Sequence, residues 1–352
     1  MQKTSELPDI NVRINGKKLP VKAFSDLATI TVQEDLDAPG MFSLELYNWD
    51  MDKLKITWSD AELFEPGNEV EIWLGYVDAL HKVMLAEITS LEPVFEADES
   101  PMLTVRGYDL RHRLLRGRRT RSFTKMKDSA IARQIAGDAG LQAKVTDSKV
   151  SQDYVLQHNQ TDLDFLQERA GRIGYEVFVR SKTLYFQPPQ NKATEGNTVT
   201  LSTADILEFS ARLSTDSQVG ELVVRGWDVN KKEAIVGKAK AGEESTRMGG
   251  SKSGASLTDK AFGKSSMAGA SEAVLSKAEA DQMALGQFNE LALAYISGEG
   301  TCRGEPKLRA GTVVKIEGAG KKFSGPYYVT STTHSVSEDG FTTAFTVRRN
   351  AA

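Results

Sequence analysis

A single cysteine, Cys302, excludes an internal disulfide framework and any cluster of thiolate metal ligands. Histidine is nearly as scarce, with only His81, His112, His158 and His334, so a metal site built from imidazoles is not expected. No cofactor is expected either. No apolar run approaches the length that crosses a bilayer. The segment from Met1 to Pro8 lacks the hydrophobic stretch of a signal peptide, so the chain is expected to fold in the cytosol without a direct membrane anchor.

Catalytic motifs are missing in the same way. HExxH, GxSxG and CxxC do not occur. Gly263-Lys264-Ser265 invites a phosphate-loop reading, but Thr258 stands where the first glycine belongs and the surroundings are low in complexity. Cys302 and His334 could be paired as nucleophile and base, yet a lone cysteine between Thr301 and Arg303 in a glycine-rich connection reads better as incidental. Asp162, Asp164 and Glu168 gather at a helix start, where carboxylates meet the positive end of the dipole. The expectation is a protein that is not an enzyme and has no catalytic residues. A cell-wall hydrolase working through Cys302 or the acids near Asp162 is the alternative.

The strongest charge feature is the run Arg111, Arg113, Arg116, Arg118, Arg119 and Arg121. Such a stripe can neutralise phosphates, and a DNA-binding module is the second alternative. Against it, the chain carries a net charge of -4, the interleaved Leu110, Leu114 and Leu115 look like a packed helix face, and no stacking aromatics accompany the arginines. No specific nucleic-acid partner is expected.

What the sequence does contain is a repeated β pattern. Phe64-Glu65-Pro66-Gly67 runs into Val70-Glu71-Ile72-Trp73-Leu74-Gly75-Tyr76, whose alternation after a Pro-Gly turn marks a strand. Ala310-Gly311 followed by Thr312 to Ile316 repeats it. Val329-Thr330-Ser331 echoes Ile88-Thr89-Ser90, and Phe345-Thr346-Val347-Arg348 echoes Leu103-Thr104-Val105-Arg106. The shifts are nearly equal: 67 to 311 is 244 positions, 89 to 330 is 241, and 104 to 346 is 242. Three echoes in one order imply two copies of one β-rich unit.

In chain order, Ile10 to Gly16 reads as a strand ending in an Asn-Gly turn, followed by strands around Ile30 to Val32 and Phe42 to Tyr47. From Asp109 the period changes. A helix beginning at Asp128 carries Ile131 and Ile135 and stops at Gly140; a second, capped by Thr161, carries Leu163, Leu166, Ala170 and Ile173 and stops at Gly174; a hairpin turns at Ser181-Lys182. Leu222 to Asp228 resembles Leu103 to Asp109, or else is the second copy's counterpart of Ile10 to Gly16. The stretch 238–273 is rich in Gly, Ser, Ala and Lys, cannot bury a core of its own, and is expected to be mobile or ordered only against a partner. Ser276 and Glu279 form a capping box for a helix with Leu285, Phe288, Ala292 and Tyr295 on one stripe. Trp73, Phe178 and Trp227 alternate away from the presumed core, as second-face packing or as subunit contacts.

These residues together resemble the phage late control gene D family, baseplate hub proteins of contractile tails similar to the hub part of VgrG in type VI secretion. The resemblance rests on Phe64 to Gly67 with Val70-Glu71-Ile72 and Gly75-Tyr76, on Leu103 to Asp109 with the arginines and Asp128 to Ala132, and on Gln157-His158-Asn159-Gln160-Thr161-Asp162-Leu163-Asp164-Phe165-Leu166 leading to Gly174-Tyr175. Ala86, before Glu87-Ile88-Thr89, departs from the pattern where glycine is expected. The resemblance implies a mainly β, α+β chain with two tube-like β-barrel domains from an internal duplication, an α+β insert and a flanking helix. The expected divisions are 1–107 for the first barrel, 108–190 for the insert, 191–232 for the start of the second barrel, 233–274 for a low-complexity flexible insertion, and 275–352 for the flanking helix and the rest of the second barrel.

The resemblance also implies a homotrimer presenting six similar barrels, a collar that adapts a three-fold spike to a six-fold inner tube. Its partners would be the spike protein, the inner tube protein and baseplate proteins, within a phage tail or a phage-tail-like contractile injection particle. The sequence leaves open which of the two. The piercing tip is expected to be another polypeptide. Candidate protein-interface residues are Trp73, Tyr76, Arg118, Arg119, Trp227, Phe288 and Tyr295.

Overall fold

The computed structural model describes residues 7–229, 231–269 and 274–352. The chain is mainly β. Leaving aside the two-residue strand Lys17–Lys18 beside the first, the first half contributes six strands to one sheet: β1 (Pro8–Ile14), β2 (Leu27–Asp35), β3 (Met41–Tyr47), β4 (Glu69–Tyr76), β5 (Ala79–Val94) and β6 (Met102–Asp109). Their side-by-side order is β1-β4-β5-β6-β3-β2. Alternation drives each strand inward on one face, so Val70, Ile72 and Leu74 of β4 join Phe42, Leu44 and Leu46 of β3 in a fully buried core. The Asn-Gly turn after β1 forms as expected, with φ of 50° at Asn15 and 78° at Gly16, values an Asn-Gly pair adopts at little cost.

The α+β insert follows. The arginine run is not one helix face: Leu110–Leu115 is a short 3-10 helix, and Arg119–Lys127 is a strand paired with Ser151–Gln160. Helix α1 (Asp128–Asp138) buries Ile131 and Ile135, and helix α2 (Asp162–Arg172) is capped by Thr161, whose hydroxyl accepts from Asp164 N at 3.1 Å. Gly140 and Gly174 end these helices at φ of 71° and 67°. The strands Glu176–Arg180 and Thr183–Gln187 form the hairpin, and the insert has its own core around Ile131, Phe165, Leu166 and Phe186.

The second half supplies β7 (Thr198–Leu201) and β8 (Ile206–Leu213), then a long excursion with helices α3 (Gly254–Phe262) and α4 (Lys277–Leu293). It returns as β9 (Ile296–Arg303), β10 (Val313–Ile316), β11 (Gly325–Ser337) and β12 (Gly340–Arg349). Their order, β7-β10-β11-β12-β9-β8, is that of the first half, strand for strand in chain order. One difference stands out: β1 runs antiparallel to β4, whereas β7 runs parallel to β10.

Irregularities coincide as well. The ladder between β5 and β6 slips between Ile88 and Ser90, and that between β11 and β12 slips between Val329 and Ser331. Between β2 and β3 the slip lies between Leu27 and Thr29; between β8 and β9 it lies between Ile206 and Glu208. Gly67 N donates to Ile88 O and Gly311 N to Val329 O, each at 2.8 Å. The return bonds, Ile88 N to Asn68 O and Val329 N to Thr312 O, are 3.0 and 2.9 Å. Both glycines need positive φ, 93° and 78°. The third sequence echo is out of step: pairing makes Val105, opposite Leu91, the counterpart of Phe345, opposite Thr332, two residues from the echo's alignment. A two-residue slip keeps every side chain on its face, so alternation could not expose it.

No strand pairing among the described residues closes either half into a barrel. The two halves form one continuous sheet, because β2 pairs antiparallel with the second part of β11, from Ser331 opposite Asp35 to Val336 opposite Ile30.

Leu222 to Asp228 is a counterpart of neither β6 nor β1. As the strand Glu221–Asp228 it pairs with Glu233–Lys240 and Ser266–Ala268 in a separate three-stranded sheet, against which α4 packs Ala280, Met283, Ala284 and Phe288. The excursion from the main sheet thus begins at the end of β8 rather than at residue 233. The stretch 238–273 differs from its expectation too: Met248 and Ala255 are buried, and α3 is capped by Ser253. Arg349 Nε donates to Met248 O at 2.7 Å, and Asn350 Oδ1 accepts from Met248 N at 3.0 Å, so the C-terminal residues hold this glycine-rich segment in place. Residues 270–273 of it lie outside the described residues.

Candidate functional site

Charged side chains from distant parts of the chain gather at the seam where both sheet halves meet the insert. Glu34 on β2 and Arg309, in the turn before β10, form a two-pronged ion pair across 275 positions of sequence. Arg309 also donates to the carbonyls of Lys82, at 3.1 Å, and Val83 on β5. One guanidinium therefore ties two strands of the first half to the turn before β10 in the second. Burial pushes the Glu34 carboxyl upward, but Arg309 outweighs it and holds Glu34 below the usual carboxylate range.

The insert is fastened to the same seam. Arg180 donates to the carbonyl of Ala310. Arg111 is buried, with Nε 3.0 Å from Asp109 Oδ2 and with Nη2 donating to Asp35 O at 2.8 Å. Tyr328 of β11 reaches Glu176 of the insert at 2.7 and 2.9 Å to the two carboxylate oxygens. Burial pushes the Glu176 carboxyl up to about 7, against the opposing effect of the Tyr328 hydroxyl. None of Glu34, Arg180, Glu176, Arg309 and Tyr328 was marked by the sequence. Their partners are distant in the chain, and no local spacing announces them.

The residues singled out for chemistry are placed otherwise. Cys302 is completely buried, its Sγ donates to Thr343 O at 3.5 Å, and burial pushes its thiol up to about 12. His334 shares the neighbourhood, with Nδ1 2.9 Å from Thr343 Oγ1, and burial pushes its pKa down to about 4. A neutral thiol and a neutral ring, both enclosed, are poor materials for nucleophilic attack. Asp162 is buried between Arg121 Nη2, at 2.7 Å, and Gln157 Nε2, at 2.9 Å, while Glu168 accepts from Gln160 at 2.6 Å. Gly263 ends α3 at φ 88°, and Lys264-Ser265 leads into a strand, the reverse of the strand-to-helix order a phosphate loop needs. Among the described residues, no group of three or more His, Cys, Asp or Glu is placed to hold a metal ion, and no helix is long and apolar enough to cross a membrane.

Five of the six arginines of the run, Arg111 among them, are committed within the chain. Arg113 pairs with Glu87, Arg119 with Asp162 at 3.5 Å, and Arg121 with both Asp138 and Asp162; Arg118 donates to Asn159 O at 2.9 Å.

Of the interface candidates, Phe288 and Tyr295 lie in the chain's own cores, so these two present nothing to a partner. The helix ends at Leu293, which takes Tyr295 off the predicted stripe. Tyr76 donates to Gly304 O at 3.0 Å, bridging the two halves. Trp73 is half-buried, with Arg13 at 4.8 Å and Lys82 at 5.2 Å from its ring. Trp227 is 55% exposed.

The fold has solved counterparts. The 43 kDa tail protein of prophage MuSo2 from Shewanella oneidensis superposes with a TM-score of 0.70 at 16% identity, over 97% of this chain and 98% of that one. A tail protein from Neisseria meningitidis MC58 gives 0.69 at 13% identity, over 97% of each chain. A type VI secretion component from E. coli, described as structurally similar to bacteriophage T4 tail proteins, gives 0.59 at 13% identity, over 97% of this chain and 77% of that one. No curated protein matches the sequence. The family whose model matches is not late control gene D: across residues 4–338 the match is to the Alg8 N-terminal domain, and the chain belongs to that family.

Proposed function

We propose that the chain is a structural hub of a contractile tail or tail-like injection particle. Three copies would assemble into a collar of six similar tube-like units between a three-fold spike and a six-fold inner tube. The observation that carries this reading is the repetition within one chain: two six-stranded units with the same order, two ladder slips at matching places and the same glycine turn. An internal duplication is the economical account of that coincidence, and a ring whose faces offer six like patches needs it. The likeness of the fold to phage tail proteins and to a type VI secretion component supports the same reading.

The α+β insert would sit outside the collar against baseplate proteins, and Trp73, Trp227, Arg118 and Arg119 remain the residues proposed for protein contacts. The reading assigns no catalysis to the chain. Native mass spectrometry of the purified protein, alone and with its spike and inner tube proteins, tests it. A trimer that binds both is expected. A monomer that binds neither would overturn it.

A further inference from the structure

Strand β11 has three neighbours: β12 along one side, and on the other β10 beside its first part and β2 beside its second. Among the described residues its counterpart β5 has only two. It pairs with β6 and β4, and the part from Ser90 to Val94, equivalent to Ser331 to Ser335, has no neighbour on the β4 side among the described residues. The counterpart of β2 is β8, and β8 is the last strand at that end of the sheet. The strand that would fill the gap is therefore present in every copy, at the opposite end of the sheet.

We propose that β8 of one copy pairs with the open part of β5 of a second copy, repeating between chains the junction that β2 and β11 make within one. The proposal rests on the trimer reading and specifies its contact. The matched ladder slips fix the register. Thr332 opposite Glu34 becomes Leu91 opposite Leu213; Thr333 opposite Gln33 becomes Glu92 opposite Arg212; His334 opposite Val32 becomes Pro93 opposite Ala211; and Val336 opposite Ile30 becomes Phe95 opposite Phe209.

The side chains fit. A leucine meets a leucine, a phenylalanine meets a phenylalanine, and an acid meets a base. Exposure agrees: His334, Val32 and Ile30 are sealed at the inner junction, while Pro93, Val94 and Phe95 are exposed, Phe95 by 61%. Glu92 now accepts from Arg106 at 2.9 Å, and Arg212 lies 3.5 Å from Asp216 in a fully exposed pair of little worth. Pro93 leaves its rung with at most one hydrogen bond, which also discourages stray strands from docking there. A head-to-tail contact of this kind makes a ring if its rotation closes and a filament if it does not.

The test is a disulfide between copies. Glu92 and Arg212 would stand directly opposite, within the Cβ separation a disulfide can span after small adjustment, and native Cys302 is enclosed. Mild oxidation of the full chain carrying Glu92→Cys and Arg212→Cys should give covalent dimers and trimers on a non-reducing gel, with each single variant giving none. Glu92→Arg should weaken assembly roughly five-fold, and Arg212→Glu in the same chain should restore it. Trimers by native mass without the 92–212 link would overturn the pairing and leave the hub reading standing. Linked species extending beyond three would support the pairing and overturn the closed trimer. A monomer without any link would overturn both.

Discussion

Gly174 and Gly286 meet backbone against backbone: a Cβ on Gly286 would lie 2.5 Å from Gly174 N, and one on Gly174 would lie 2.6 Å from Gly286 Cα. This contact seats α4 of the excursion against the end of α2 in the insert, beside the ion pair Arg172–Glu279 at 2.9 Å. Gly286→Ala must therefore push two main chains apart, and a loss of about 1–3 kcal/mol is expected. Gly137→Ala supplies the contrast. That glycine is exposed in α1 with open space about it, so alanine should stabilise by about 0.5–1 kcal/mol. Urea midpoints of the two variants moving in the same direction would contradict the contact.

Glu176 gives the seam a pH dependence of definite sign. Its folded pKa, about 7, lies above the unfolded value near 4.3, so its stability contribution is complete below the unfolded value and is lost as pH rises through 7. Glu176→Gln keeps an acceptor for the Tyr328 hydroxyl and removes the charge. The variant should match the parent below about pH 4 and exceed it at pH 8. Urea midpoints measured across that range check this, and equal slopes would refute the buried carboxyl.

How much of this was legible depended on how far apart the partners lie. The turns at Asn15-Gly16 and Gly67, the cap at Thr161 and the box at Ser276 and Glu279 are local, and the sequence displays them. The last closes slightly differently from expectation, since Glu279 accepts from Leu275 N rather than Ser276 N. The likeness of Leu222–Asp228 to Leu103–Asp109 misled because alternation followed by Arg-Gly-aromatic-Asp describes a strand and its exit, not the strand's neighbours. Strand β11 hides its buried side behind Ser331-Thr332-Thr333-His334-Ser335, a polar run in which Thr332 and His334 are nonetheless buried once β12 and β2 flank the strand. The segment holding Met248 has too few apolar residues to advertise order; Arg349 and Asn350, a hundred residues later, supply it.

Cys302 should behave as a core atom group rather than as a reagent. With no exposure and a thiol pushed up to about 12, it should resist an aromatic disulfide reagent at pH 8 and react fully in denaturant. Rapid labelling of the folded protein would contradict its placement, and would also undermine cysteine crosslinking as a readout of assembly.

The ion pair of Glu34 and Arg309 should show the opposite pH dependence to Glu176. Arg309→Met leaves a carboxylate enclosed without its partner, a change worth about 3–5 kcal/mol. Glu34→Gln should cost less, because Arg309 keeps the carbonyls of Lys82 and Val83. Combining the two should cost less than their sum, since each single change strands what the other removes. The folded pKa of Glu34 is depressed, so its contribution is present above the unfolded value near 4.3 and lost as pH falls through the folded one. The parent should therefore lose stability more steeply than Glu34→Gln in acid. Additive single effects, or parallel acid profiles, would mean that the seam does not depend on this pair. The union of the two sheet halves would then rest on the β2 and β11 ladder and on the contact of Tyr76 with Gly304.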